Sequence, residues 1–67
     1  MNGNLLKSII TLQGKTIKEV AKNLNISKSA FYRKMHAKTE FTRAEISKLI
    51  EILDLSKEKA IEIFFAA

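Results

Sequence analysis

Residues 16–35, TIKEVAKNLNISKSAFYRKM, contain two short segments of helical periodicity joined by a three-residue turn. Thr16 and Glu19 have the spacing of a capping box, in which the hydroxyl accepts a backbone N–H and the carboxylate reaches back to the cap. Asn25 tolerates the left-handed backbone conformation that ends a helix. Ser27 is a suitable cap for the next helix. The pattern therefore predicts two helices that cross steeply around a small shared core.

One helix is predicted before this pair and two after it, because apolar residues recur there at helical rather than alternating spacing. The first of these ends at Gly14, and its apolar stripe consists of Leu5, Leu6, Ile9, Ile10 and Leu12. Thr42 and Glu45 form a second capping box, and Ser56 caps the last helix. The inner side of that helix is predicted to hold Ile61, Phe64 and Phe65. The sequence thus predicts an all-α fold, a compact five-helix bundle in one domain of residues 1–67.

The composition argues against several classes of protein. The 67 residues include no cysteine and one histidine, His36, so neither a disulfide nor a transition-metal site is expected. No cysteine or acidic pair accompanies His36 in its half of the chain, and there is no glycine-rich phosphate loop. We therefore expect no enzyme, no cofactor and no small-molecule ligand. Apolar runs are too short for a membrane span or a secretory signal, so a cytoplasmic protein without a membrane partner is expected.

The charge is distributed unevenly along the chain. Residues 1–38 carry eight basic and one acidic side chain, a net charge of +7, whereas residues 39–67 carry four basic and six acidic side chains, a net charge of −2. A basic half joined to a mildly acidic half indicates that one face of the molecule meets a polyanion. Nucleic acid is the expected partner.

The third predicted helix, residues 28–36, has a polar outer side. When Phe31 and Met35 face the core, Ser29 and Arg33 point away from it, at about 160° and 200° from Phe31. The residues expected to contact base edges in a DNA major groove are Lys28, Ser29, Tyr32 and Arg33. Flanking residues at helix starts and in the following loop are expected to contact phosphates, namely Lys15, Thr16, Lys34, Lys38, Thr39, Thr42 and Arg43.

The pattern resembles the helix-turn-helix family of phage and bacterial repressors and Cro proteins, the lambda-repressor-like or XRE-type domains. Residues 16–29 are similar to the family's first helix, turn and start of the recognition helix, and residues 31–35, 37–38, 41–42 and 52–56 also match. The chain departs from the family at Asn25 and Ala37, where glycine is frequent, and at Ile17, where glutamine is common.

The resemblance implies a lambda-repressor-like fold with the helix-turn-helix at the second and third helices. It also implies a sequence-specific DNA-binding transcriptional regulator, similar to Cro or to a short repressor of a phage or bacterial switch. Such a protein binds double-stranded DNA in the nucleoid of a bacterial cell.

The last predicted helix has apolar residues on two sides, which suggests a second buried surface. A chain of this length buries only about 60% of the surface that its unfolded form exposes, so a partner subunit would add support. We expect a homodimer that binds a pseudo-palindromic operator and forms either in solution or only on DNA. Its interface is predicted to contain Ile63, Phe64 and Ala67.

An alternative is a protein-interaction module on the same scaffold, an antirepressor or antitoxin that binds another regulator. Its binding patch would consist of Ile63, Phe64 and Phe65. The salt dependence of binding distinguishes the two functions, because affinity for DNA falls steeply as salt rises.

Overall fold

Five α-helices form the part of the chain, residues 1–65, that the computed structural model describes, and this part contains no strand. The helices are α1 (Gly3–Leu12), α2 (Ile17–Asn23), α3 (Lys28–Met35), α4 (Arg43–Ile52) and α5 (Lys57–Phe64). The prediction of an all-α bundle of five helices is confirmed. None of the helices in this part of the chain combines the length and apolar character that a membrane-spanning segment requires.

Each helix begins at a side chain that accepts a hydrogen bond from the backbone N–H three residues later. The caps are Asn2, Thr16, Ser27, Thr42 and Ser56. The complete capping box predicted at Thr42 is present. At Thr16 the box is only half formed, because the Glu19 carboxylate accepts a hydrogen bond from the Thr16 hydroxyl at 3.1 Å rather than from its N–H.

The first four helices end in the same way, with one residue in the left-handed conformation. The positive φ angles belong to Gly14 (72°), Asn25 (62°), Ala37 (61°) and Asp54 (50°). In each case the N–H of the next residue bonds to the carbonyl five residues earlier, which is the Schellman arrangement. The left-handed turn predicted at Asn25 is therefore present.

The core receives buried apolar side chains from all five helices and from the loop before α4. It consists of Leu6, Ile10, Val20, Ala21, Leu24, Phe31, Met35, Phe41, Leu49, Leu53, Ala60 and Ile63. Phe31 is fully enclosed, and its ring meets that of Phe41 edge to face at 5.5 Å. Because Phe31 and Met35 are both buried, one side of α3 is fixed toward the core and the opposite side faces outward.

The orientation of α5 differs from the prediction. Ile63 is fully buried and its carbonyl accepts a hydrogen bond from the Asn2 N–H at 2.7 Å, whereas Ile61 and Phe65 are 48% and 66% exposed. Ile63 is therefore a core residue, and its predicted place in a dimer interface was wrong. The reason is that α5 packs against the beginning of α1. This packing buries the face of α5 that carries Ile63 and leaves the similar face that carries Ile61 exposed.

The structure also shows where two other apolar residues of the prediction, Leu12 and Phe64, lie. Leu12 is 85% exposed at the end of α1 rather than part of its inner stripe, because Leu6 and Ile10 define the buried side. Phe64 is half-buried and packs edge to face on Phe41. Ala67, the third predicted interface residue, lies outside the described residues.

Candidate nucleic-acid interface

The turn between α2 and α3 brings the two helices close together. Ala21 is buried at the crossing, where its small side chain lets α3 approach, and its carbonyl accepts a hydrogen bond from the Ile26 N–H at 3.1 Å. Leu24 and Phe31 fill the space between the helices. With its inner side held there, α3 forms a ridge on the surface of the molecule.

The outer side of this ridge carries the four residues predicted to contact bases. Lys28, Ser29 and Arg33 are exposed and Tyr32 is half-buried. Ser29 and Arg33 are four residues apart and therefore neighbours on the helix surface. The ridge thus presents hydrogen-bond donors and acceptors with short and long reach.

Lys28, Tyr32 and His36 form a second row along α3. The Lys28 ammonium lies 6.0 Å from the centre of the Tyr32 ring. The Tyr32 and His36 rings are nearly parallel, at 12°, with their centres 6.1 Å apart. His36 was not among the predicted contacts, although its spacing of four residues from Tyr32 indicates that the two side chains are neighbours.

Lys34 does not fit its predicted role as a phosphate contact. Its ammonium lies 2.9 Å from a carboxylate oxygen of Glu45 and 3.3 Å from the carbonyl oxygen of Glu40, and it also lies 6.0 Å from the Phe41 ring centre. The side chain is only 16% exposed. Lys34 is thus engaged within the molecule, where it joins α3 to the start of α4.

The charge state of Glu45 is set by this arrangement. Partial burial would raise the pKa of the Glu45 carboxyl, but the hydrogen bond from the Thr42 N–H and the hydrogen bond and charge of Lys34 outweigh it, so the pKa is lowered. A carboxylate therefore occupies the first turn of α4. It accepts a hydrogen bond from the Thr42 N–H and complements the dipole of that helix.

The other predicted phosphate contacts lie at the surface beside α3. Lys15 is half-buried, and Thr16, Lys38, Thr39, Thr42 and Arg43 are exposed. Lys38 and Thr39 are held against the end of α3, because their N–H groups both donate to the Arg33 carbonyl, at 2.9 and 3.4 Å. Ion pairs in the described part of the chain involve only Lys34 and Lys59, so Lys15, Lys38 and Arg43 keep unpaired charges.

Positive charge extends from α3 onto α2. A shallow groove beside the turn is lined by the lysines Lys18, Lys22 and Lys28 together with Asn25 and Ile26. The sequence alone does not separate Lys18 and Lys22 from ordinary solvated lysines. The structure places both next to the first residue of the ridge. Among residues 1–65, by contrast, histidine and acidic side chains form no cluster of three that could hold a metal ion.

Comparison with known proteins finds a similarity in the N-terminal part of the chain. Residues 6–38 match the model of a family described as the helix-turn-helix domain of resolvase. This segment contains α2, the turn and α3, together with most of α1. No curated protein and no solved structure matches the chain. The match does not distinguish the lambda-repressor-like family from other helix-turn-helix families, and it supports a helix-turn-helix DNA-binding domain.

Proposed function

We propose that this chain is a sequence-specific DNA-binding regulator that inserts α3 into the major groove of duplex DNA. The observation that carries the proposal is the two-sided character of α3, with Phe31 and Met35 buried and a polar, basic side exposed within a helix-turn-helix unit. The major groove admits an α-helix and presents a distinct pattern of donors and acceptors for each base pair.

The exposed side chains suit different partners on the bases. Arg33 and Lys28 can donate to O6 and N7 of guanine, and Ser29 can pair with several bases. A good bidentate contact of this kind discriminates against the wrong base by about 1 to 3 kcal/mol. Arg33 is the best candidate because its guanidinium is rigid and forms no ion pair with the part of the chain that the structure describes.

Contacts with phosphates would set the register of α3 on the duplex. We assign this role to Lys15 and Thr16 before α2 and to Lys38, Thr39, Thr42 and Arg43 after α3. Lys34 is left out because its ammonium is bound to Glu45. The expected target is a promoter of a phage or bacterial switch, in the nucleoid, where occupancy by the protein would block transcription, as the resemblance to repressors suggests.

A two-fold dimer is part of the proposal, with a revised interface. Because Ile63 is buried, the exposed apolar residues of α5 and its end take its place, namely Ile61, Phe65 and the half-buried Phe64. The molecule measures 27 × 25 × 20 Å. Two copies side by side would therefore have room to place their α3 helices about 34 Å apart, one turn of DNA.

The same apolar residues support a second function. An antirepressor or antitoxin would use Ile61 and Phe65 to bind another regulator, with the polar side of α3 left in solvent. Binding of this type depends mainly on apolar area and responds weakly to salt, whereas DNA binding weakens steeply.

The experiment that tests the proposed function is a selection from a duplex pool with a randomised central segment. We expect the purified chain to enrich a palindromic sequence. Its affinity for that duplex should fall with salt at a log-log slope of about −0.9 for each neutralised phosphate. A matched control is Lys57→Ala, which removes an exposed lysine from the acidic half and should leave affinity unchanged. Absence of any enriched sequence would contradict the proposal and favour the interaction module.

A further inference from the structure

The outer side of α3 contains an ordered row of three side chains, Lys28, Tyr32 and His36, which we call the tyrosine row. The Tyr32 and His36 rings are stacked at 6.1 Å and 12°, and the Lys28 ammonium lies 6.0 Å from the Tyr32 ring centre. Both contacts join residues four positions apart, about one helical turn. Lys28 and His36 are exposed, so the row lies at the surface before any partner binds.

The row restricts how Tyr32 can contact a nucleic acid. The residues four positions before and four positions after Tyr32 lie on the same side of the helix, one turn away from it in each direction. The Lys28 ammonium and the His36 ring lie 6.0 and 6.1 Å from the Tyr32 ring centre, so they take up part of the space beside the ring and limit its movement. The hydroxyl at the end of the ring both donates and accepts hydrogen bonds.

Because Lys28 and His36 limit the movement of the Tyr32 side chain before DNA binds, they affect how Tyr32 recognises DNA. A side chain that is already held in one rotamer loses less conformational entropy when it binds, and it meets only the partners that its fixed geometry reaches. Tyr32 also lies beside Ser29 and Arg33 on the helix surface, about 60° and 100° from them around the axis. The hydroxyl therefore belongs to the side of α3 that faces the bases.

We propose that Tyr32 determines specificity at one base pair through its hydroxyl, and that His36 is a positioning residue that holds the Tyr32 ring for this contact. The inference rests on the proposed function, because it needs α3 to enter the major groove. It assigns to Tyr32 a hydrogen bond with a base edge and to His36 a role without direct base contact.

The test compares four variants with the parent in the same selection from randomised duplexes. Tyr32→Phe keeps the ring and removes the hydroxyl, and we expect it to lower discrimination at one base pair by about two- to tenfold, the range of a single hydrogen bond. His36→Ala should lower discrimination at that same base pair. His36→Phe keeps a stacked ring and should restore it. Lys38→Ala is the control, since loss of a phosphate contact should weaken all sequences equally.

Thermal unfolding of each variant separates this role from a general effect on stability. The substituted side chains are exposed or half-buried, so we expect the variants to unfold cooperatively near the parent temperature. If the parent enriches a sequence and His36→Ala enriches it with equal discrimination, the inference is wrong but the proposed function stands. Failure of His36→Phe to restore discrimination would also overturn it, as would a Tyr32→Phe variant that weakens all sequences equally. A parent that enriches nothing would instead refute the proposed function, and this inference with it.

Discussion

The ammonium of Lys34, in the last turn of α3, lies 2.9 Å from the carboxylate of Glu45, in the first turn of α4. The same carboxylate oxygen accepts a hydrogen bond from the Thr42 N–H at 2.8 Å, so one group closes the α4 cap and anchors α3. Lys34 also donates to the carbonyl of Glu40 within the connecting loop. The pair therefore fixes the end of α3 relative to α4.

This arrangement predicts a pH-dependent contribution to stability. The pKa of Glu45 is lowered in the folded state, so its contribution is fully present above the pKa of the unfolded chain and is lost as pH falls through the folded value. We expect Glu45→Gln to reduce the free energy of unfolding at neutral pH by about 1 kcal/mol. The difference between parent and variant should shrink and then disappear as pH falls below the ordinary glutamate pKa of about 4.3, as measured by urea unfolding.

Glu62→Gln is the matched control for this prediction. Glu62 also pairs with a lysine, Lys59, at 3.3 Å, but both side chains are largely exposed. Such pairs contribute little, so the variant should unfold at nearly the same urea concentration as the parent. If Glu45→Gln retained the full difference at acidic pH, the ion pair would not be its cause.

The parts of the fold that depend on local sequence were predictable. The caps at Thr16, Ser27, Thr42 and Ser56 depend on hydrogen bonds that reach only three residues, and all four were read from residue type and spacing. The turn at Asn25 follows from the preference of asparagine for the left-handed region. The buried side of α3 followed from the spacing of its apolar residues.

Features that depend on packing between distant segments were not predictable. The prediction for α5 was wrong because Ile61 and Ile63 are chemically equivalent, and packing against the rest of the bundle makes Ile63 the buried one. Lys34 was taken for a phosphate contact because its partner Glu45 lies eleven residues away, across a loop whose path the sequence does not specify.

A second prediction concerns Gly3, whose importance also depends on packing. A Cβ atom on Gly3 would overlap the carbonyl oxygen of Met35, at the end of α3. In an exposed helix, replacing glycine by alanine stabilises by about 1 kcal/mol. Here we expect Gly3→Ala to destabilise by about 1 to 3 kcal/mol, the usual cost of overpacking, as measured by thermal or urea unfolding.

Asn4→Ala provides the comparison, because Asn4 is exposed in the same turn of α1. That variant should leave stability within about 0.5 kcal/mol of the parent. A Gly3→Ala variant as stable as Asn4→Ala would mean that α1 is not packed against the end of α3.

A third prediction concerns Ala37, which has a φ angle of 61° although it carries a Cβ atom. The left-handed conformation costs a residue with a side chain about 1 to 2 kcal/mol, and glycine avoids this cost. Glycine is also more flexible in the unfolded chain, which offsets part of that gain in stability. We therefore expect Ala37→Gly to raise the free energy of unfolding by about 0.5 to 1 kcal/mol. Ala44→Gly, at an exposed position in α4, should lower it by a similar amount. Equal signs for the two substitutions would contradict the assigned conformation of Ala37.

A fourth prediction addresses the revised dimer interface. Phe65→Ser removes a ring that is 66% exposed, so it should weaken self-association while leaving the stability of the folded chain nearly unchanged. Ile63→Ser should instead unfold the chain, because Ile63 is fully buried. Sedimentation of the parent and of Phe65→Ser, alone and with a palindromic duplex, measures the effect. A parent that stays monomeric at high micromolar concentration in both conditions would refute the dimer.

The last prediction separates base contacts from phosphate contacts on the proposed interface. Arg33 is exposed and forms no ion pair within residues 1–65, and the Lys38 N–H donates to the Arg33 carbonyl, so the two residues are close along the backbone. Arg33→Ala should relax base preference at one position by about 1 to 3 kcal/mol and leave the others unchanged. Lys38→Ala should weaken binding to all sequences alike and reduce the salt slope by about one. Competition titrations against single-base variants of the selected duplex measure both effects. If both protein variants bind the duplex as tightly as the parent, α3 does not enter the groove.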